Sequence, residues 1–207
     1  LIPNGVVLPV MPDTLGALTA FGLEPGKYVV LVSRLVPEKR HLDLIAAFQR
    51  AALPGWKLAI VGASDHPDDY VKQVLDKAAA TPGVVCTGLQ TGLALRELYA
   101  HAGIFVLPSS HEGLPIAMLE ALSYGLPVIA SDIPANLEVG LPDEHYFPLG
   151  DVDALAGRLK EFSAQPLTAA ARESRRAWVS ERFNWSDIAR RTLAVYQAVV
   201  AGAKPER

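Results

Sequence analysis

The 207-residue chain is half hydrophobic, enough to bury a sizeable core, and 20% of it is charged. With 19 basic against 22 acidic residues it carries a net charge of −3, so it has no bulk attraction for nucleic acid and any anion site must be built locally. One cysteine, Cys86, excludes an internal disulfide, and no apolar run approaches the ~18 residues of a membrane-spanning helix. We see no signal-peptide pattern and expect a cytoplasmic protein. The start at Leu1 rather than Met suggests a piece of something longer.

Residues 1–14, opening with Ile2-Pro3-Asn4-Gly5-Val6, read as a linker entering the domain. Strands and helices then alternate. The predicted strands are Tyr28–Ser33, Trp56–Val61, Val84–Thr87, Ile104–Leu107, Pro127–Ser131 and Tyr146–Pro148. The helices that follow them are His41–Ala52, Asp68–Ala80, Leu93–His101, Leu114–Tyr124, a short one around Ala135–Val139, and Val152–Ser163. Runs such as Val29-Val30-Leu31-Val32 are apolar throughout, as in parallel strands covered on both faces, and Cys86 reads as a small buried residue of its strand. Repeated βα units imply a doubly wound, Rossmann-like α/β fold that binds ligands at the carboxyl edge of its sheet. Two helices, Thr168–Phe183 and Trp185–Ala201, close the chain, with Asn184 and Ser186 as candidate caps between them.

Charged residues gather at the predicted carboxyl edge. Arg34 and Lys39 lie in the loop after the first strand, where two cations can clamp a diphosphate. After the fourth strand comes His111-Glu112-Gly113-Leu114-Pro115, then a helix apolar nearly all round that carries Glu120. Gly113 permits close backbone approach, and the helix start suits a phosphate. A carboxylate on a buried helix needs a partner, so Glu120 calls for ribose hydroxyls or for an Arg or Lys salt bridge. It lies about 7–8 Å along the helix from Pro115, near the span from phosphate to ribose. His111 is either a site residue or an exposed loop histidine; the other histidines, His41 among them, look scattered. Asp151-Val152-Asp153 matches a metal-binding Asp-x-Asp pattern, but Asp151 as a helix N-cap explains it better.

Glu112 and Glu120, with seven residues between them, and Arg34 and Lys39 upstream resemble the group 1, or family 4, retaining glycosyltransferases. So do Arg34-Leu35-Val36-Pro37-Glu38-Lys39, Glu120-Ala121-Leu122, Pro127-Val128-Ile129-Ala130-Ser131-Asp132 and Phe183-Asn184-Trp185. The resemblance implies the C-terminal half of a GT-B enzyme, two Rossmann-like domains with the site between them. It implies that Arg34 and Lys39 neutralise a diphosphate without a bound metal, that Glu120 holds the ribose and that Glu112 faces the transferred sugar. The base would lie by Leu89-Gln90, and amides of Gly113, Leu114 and the residues after Pro115 would meet sugar or phosphate. The implied substrate is a UDP- or GDP-sugar, with no separate cofactor. The implied partner is an N-terminal domain that the terminal helix, residues 184–203, packs toward and through which peripheral membrane contact would come. Ser33 stands where Gly is frequent, and Leu114-Pro115 where many relatives carry Phe-Gly. A sugar-nucleotide epimerase of the same architecture and a non-catalytic nucleotide-binding module remain as alternatives; the first should lack the four charged residues together.

Overall fold

The computed structural model describes residues 5–66, 68–165 and 167–200. Ile2, Pro3 and Asn4 of the predicted linker, and residues 201–203 of the predicted terminal helix, lie outside the described residues.

Six parallel strands form one sheet: β1 Tyr28–Val32, β2 Lys57–Val61, β3 Val84–Gly88, β4 Ile104–Leu107, β5 Val128–Ser131 and β6 Tyr146–Phe147. Their order across the sheet is β3-β2-β1-β4-β5-β6, the doubly wound arrangement expected from the alternating pattern. Helices α2 His41–Ala51, α3 Asp69–Ala79, α4 Gly92–Ala100, α5 Ile116–Ser123, α6 Pro134–Leu137 and α7 Val152–Ser163 connect or follow the strands. The central strands β1, β2, β4 and β5 bury nearly every side chain, which is why they read as unbroken apolar runs. The edge strand β3 is less covered. Cys86 is therefore only half-buried rather than a core residue, although burial still pushes its thiol above the usual range.

The pairing of β1 with β4 decides where a ligand can enter. β1 pairs with β2 over five residues, but with β4 only at Val29↔Ile104 and Val30↔Phe105. The connections on either side of this pair leave in opposite directions. A crevice therefore opens at the carboxyl ends of the two strands, between the loop after β1 and the loop after β4.

One element has no counterpart in the sequence reading. Helix α1, Gly16–Phe21, precedes the first strand. It is held from a distance: the buried Glu97 of α4 accepts the Ala17 amide at 2.6 Å and the Thr14 hydroxyl. These bonds, the Ala17 amide first, hold the Glu97 carboxyl below the usual carboxylate range. At the far end, α8 Ala169–Arg182 packs along α5, and α9 Trp185–Val200 follows. Asn184 caps α9 by accepting the Ser186 amide at 2.8 Å, so Ser186 lies inside the helix rather than capping it. Asp151 caps α7 through the Ala154 amide at 2.8 Å. Val6 is tied to the junction of α8 and α9, its amide 2.8 Å from the Phe183 carbonyl.

Gly62, just past β2, faces the backbone that enters the crevice. A Cβ there would stand 1.9 Å from the Ser33 carbonyl oxygen, and Gly62 has φ +142°. Gly62→Ala should therefore cost about 2 kcal/mol or more, seen as a lower midpoint in urea unfolding. A wild-type midpoint would mean that the two loops separate freely.

Candidate functional site

The loop after β1 runs through Ser33 and Arg34 into a single 3-10 turn, Pro37–Lys39, and then into α2. Arg40 makes the corner at φ 51°, and its guanidinium is held by Asp43 at 2.6 Å. The loop after β4 is fastened to this one. The Glu38 carbonyl accepts the Ser110 amide at 2.8 Å and its hydroxyl at 3.3 Å. Fastening brings Lys39 onto Glu112, with Nζ 2.6 Å from Oε1 and the side chains only 16% and 10% exposed. The sequence reading gave these residues separate ligand groups; in the structure they are also a mostly buried ion pair.

Clefts border the crevice. One of about 240 Å³ is lined by Ser33, Arg34, Lys39, Glu112 and Leu114, with Val32 and Leu107 from the strand ends. A second, about 150 Å³, shares Val32, Ser33 and Arg34 with it and reaches Leu89 and Gln90. Leu89 is exposed, and the Gln90 side chain is turned back onto the Thr87 carbonyl at 2.8 Å. Arg34 is exposed, lines both clefts and has no ion-pair partner among the described residues. A third and larger cleft, about 430 Å³, runs along α5 and contains Arg96, Tyr99, Ile116 and Glu120, with Val6 and Trp185 on its rim.

Helix α5 starts at Ile116 rather than Leu114, with the buried Pro115 in the N-cap position. The Ile116 amide turns back to the Leu114 carbonyl at 2.8 Å, and the Met118 and Leu119 amides to the Pro115 carbonyl. The amides of His111, Glu112, Gly113, Leu114 and Ala117 take no bond among the described residues, whereas that of Ile116 is committed to Leu114. The expectation of a helix buried all round is also corrected. Ile116 is 53% exposed, and with Glu120, four residues on, it forms the open face of α5 and joins the 240 Å³ cleft to the 430 Å³ one. Glu120 is half-buried and, among the described residues, pairs with neither Arg nor Lys. Its partner is the Tyr99 hydroxyl, which donates to Oε2 at 3.1 Å. Tyr99 is buried and stacks on Tyr124 with ring centroids 5.2 Å apart; burial, and then the Glu120 charge, push its phenol well up. His111 is exposed and lines none of these clefts.

In the sequence His41 is one of several scattered histidines. It is 0% exposed, the first residue of α2, and lies between Ser33 and Tyr70. The signal was present in the spacing: His41, Leu44, Ile45 and Phe48 share the buried face of the helix.

The family model for group 1 glycosyl transferases matches residues 21–185. The chain belongs to that family. Among relatives, alpha-maltose-1-phosphate synthase of Mycolicibacterium smegmatis is 31% identical over 206 residues, covering 92% of this chain and 52% of the synthase. A crystal structure of a glycosyltransferase from Rickettsia africae superimposes with a TM-score of 0.84 at 19% identity, over 96% of this chain and 56% of that one. Anabaena HepE, solved in complex with UDP and glucose, superimposes with a TM-score of 0.77 at 21% identity, over 87% of this chain and 51% of its own. The chain thus spans about half the length of the relatives it matches. These likenesses confirm the Rossmann-like fold of a group 1 glycosyltransferase domain.

Burial, and then the Lys39 charge, push His41 down from 6.5 to about 4. Between those two values the unfolded chain binds the proton and the folded one does not, so stability should rise with pH across this window. The buried neutral imidazole contributes roughly 3 kcal/mol that is fully present at pH 7 and lost on acidification toward pH 4. Urea unfolding at intervals from pH 7 to 4.5 should show this slope, and His41→Gln should flatten it. An equal slope in the variant would assign the acid sensitivity elsewhere.

Proposed function

We propose that this chain is the nucleotide-sugar-binding domain of a retaining, metal-independent glycosyltransferase in polysaccharide or glycoconjugate synthesis. The observation that carries the reading is the convergence of Arg34, Lys39 and Glu112 on one cleft at the sheet's switch point, beside the unbonded amides of Gly113 and Leu114 at the entry to α5. Arg34 and Lys39 take up the negative charge that grows on the departing diphosphate, which is the task a metal performs elsewhere. Glu112 lies where the sugar attached to that diphosphate would sit. The base fits by Leu89 and Gln90, the ribose by Glu120 along the Ile116 face, and the diphosphate between them.

Acceptor binding falls to a second domain. Supporting this, α9 leaves Leu193, Val195, Tyr196, Val199 and Val200 exposed, an apolar face suited to packing on another domain. Among the described residues no helix is long and apolar enough to cross a membrane. We place the enzyme in the cytoplasm, with any membrane contact made through the second domain.

UDP and GDP are the first probes, UDP because HepE is solved with it. Either at 100 times its dissociation constant should stabilise the domain by about 2.7 kcal/mol. Thermal shifts in EDTA and in magnesium should coincide, whereas a shift that needs magnesium would sink the metal-free mechanism.

The ion pair makes a further distinction. A phosphate must share Lys39 with Glu112, so Glu112→Gln should tighten UDP binding several-fold by releasing the cation. Lys39→Ala should weaken it, by about 1.5–3 kcal/mol, and leave uridine binding unchanged. Isothermal titrations of both variants decide this. Weaker UDP binding in Glu112→Gln would place the diphosphate away from Lys39.

A further inference from the structure

Ser33 ends β1 and lines both of the clefts that Arg34 lines. Its hydroxyl oxygen lies 2.9 Å from Nε2 of His41. Nδ1 of the same ring lies 3.2 Å from the Tyr70 hydroxyl, whose oxygen accepts the His41 backbone amide at 3.0 Å. A continuous line of polar atoms therefore runs from the α3 residue Tyr70, through a fully buried imidazole, to the wall of the diphosphate cleft.

The protons in this line can be counted. Near pH 7 the His41 ring is neutral and carries a single N–H. Burial pushes the Tyr70 phenol up, so it keeps its proton. Two arrangements satisfy the distances. In one, Nδ1–H donates to Tyr70 and the Ser33 hydroxyl donates to Nε2, which leaves only lone pairs of Ser33 for the cleft. In the other, Tyr70 donates to Nδ1 and Nε2–H donates to the Ser33 oxygen. The Ser33 proton is then spare, beside Arg34 and Lys39. A phosphate offers acceptors only. It is repelled by the first arrangement and bonded by the second.

We propose that Ser33 is a diphosphate ligand, donating its hydroxyl to a phosphate oxygen, and that His41 is the positioning residue that holds it in the donating state. This rests on the donor-site reading above and adds a neutral ligand to its two cations. The bond links the sheet edge to α3, which otherwise has no group in the clefts.

Titrations of UDP and uridine, with GDP and guanosine alongside, test it on the 207-residue chain. Ser33→Ala should lower nucleoside diphosphate affinity about tenfold and leave nucleoside affinity unchanged. His41→Phe, which removes both ring nitrogens at similar size, should give the same loss in the wild-type background and none further in Ser33→Ala. His41→Gln, which keeps an amide donor near the Nε2 position, should recover part of it and serves if His41→Phe does not fold. In the UDP complex, nitrogen NMR of His41 should find the proton on Nε2. An unchanged ratio of diphosphate to nucleoside affinity in Ser33→Ala, additive losses in the double variant, or a proton on Nδ1 in the complex would each overturn the assignment. Wild-type chain that binds neither UDP nor GDP would overturn the donor-site reading itself, and this assignment with it.

Discussion

Strands β1 and β4 stay hydrogen-bonded for two residues and then part. Backbone groups at their carboxyl ends lose their sheet partners at that point, and buried backbone groups do not stay unpaired. The Ser33 amide continues the ladder with β2 onto the Val61 carbonyl, and the Ser110 amide turns to the Glu38 carbonyl. The second of these bonds crosses the crevice. It makes two loops from distant parts of the chain into one wall and holds Lys39 in contact with Glu112. Gly62 permits the first by leaving room for the Ser33 carbonyl. The charged groups of the site thus depend on how the backbone is satisfied where two strands separate.

The same wall explains how a chain of net charge −3 can present a cationic cleft. Arg34 faces the cleft without an ion-pair partner among the described residues, while Arg40 is committed to Asp43 and Lys39 to Glu112. Pairing offsets the cost of holding Lys39 and Glu112 out of water, and losing one partner of such a buried pair costs about 3–5 kcal/mol. Among the described residues, an anion entering the cleft meets Arg34, which has no ion-pair partner, and Lys39, which must be shared. That favours a ligand with an anionic part and a hydroxyl-rich part side by side, the second occupying the carboxylate as the first engages the ammonium.

Much of the fold was legible because it is local. Apolar runs such as Val29–Val32 and Ile104–Leu107 announce covered parallel strands, and Asp151 announces the start of α7. Helix α1 was not legible, because its six residues depend on the Glu97 carboxylate of α4, 80 residues away. Within the site, the Arg34-to-Lys39 loop and the Glu112–Glu120 spacing stood out as residue types. Their partners did not. The Lys39–Glu112 pair spans 73 residues, and the Tyr99–Glu120 bond joins neighbouring helices. The exposure of Ile116 is not legible, because composition shows that a helix is apolar without showing which face is open. His41 is the converse: a polar residue in register with a buried face is still buried, and then its nitrogens need partners.

The orientation of α5 is set at the end away from the crevice. Its last carbonyls, like those of α4, need partners, and α8 supplies them. Arg172 donates to the Ala100 and Tyr124 carbonyls at 3.0 and 2.7 Å, and Arg176 to the Ser123 carbonyl at 2.6 Å. Cations at these C-terminal ends also complement the helix dipoles, whose positive ends point toward the clefts. Arg176 reaches further, to the Pro9 carbonyl at 3.2 Å. One side chain therefore joins the entering segment, α8 and the helix that carries Ile116 and Glu120. Because these parts share buried charged hydrogen bonds, a shift of the entering segment is resisted at α5 itself. The position of Glu120 is then coupled to the direction from which the chain arrives.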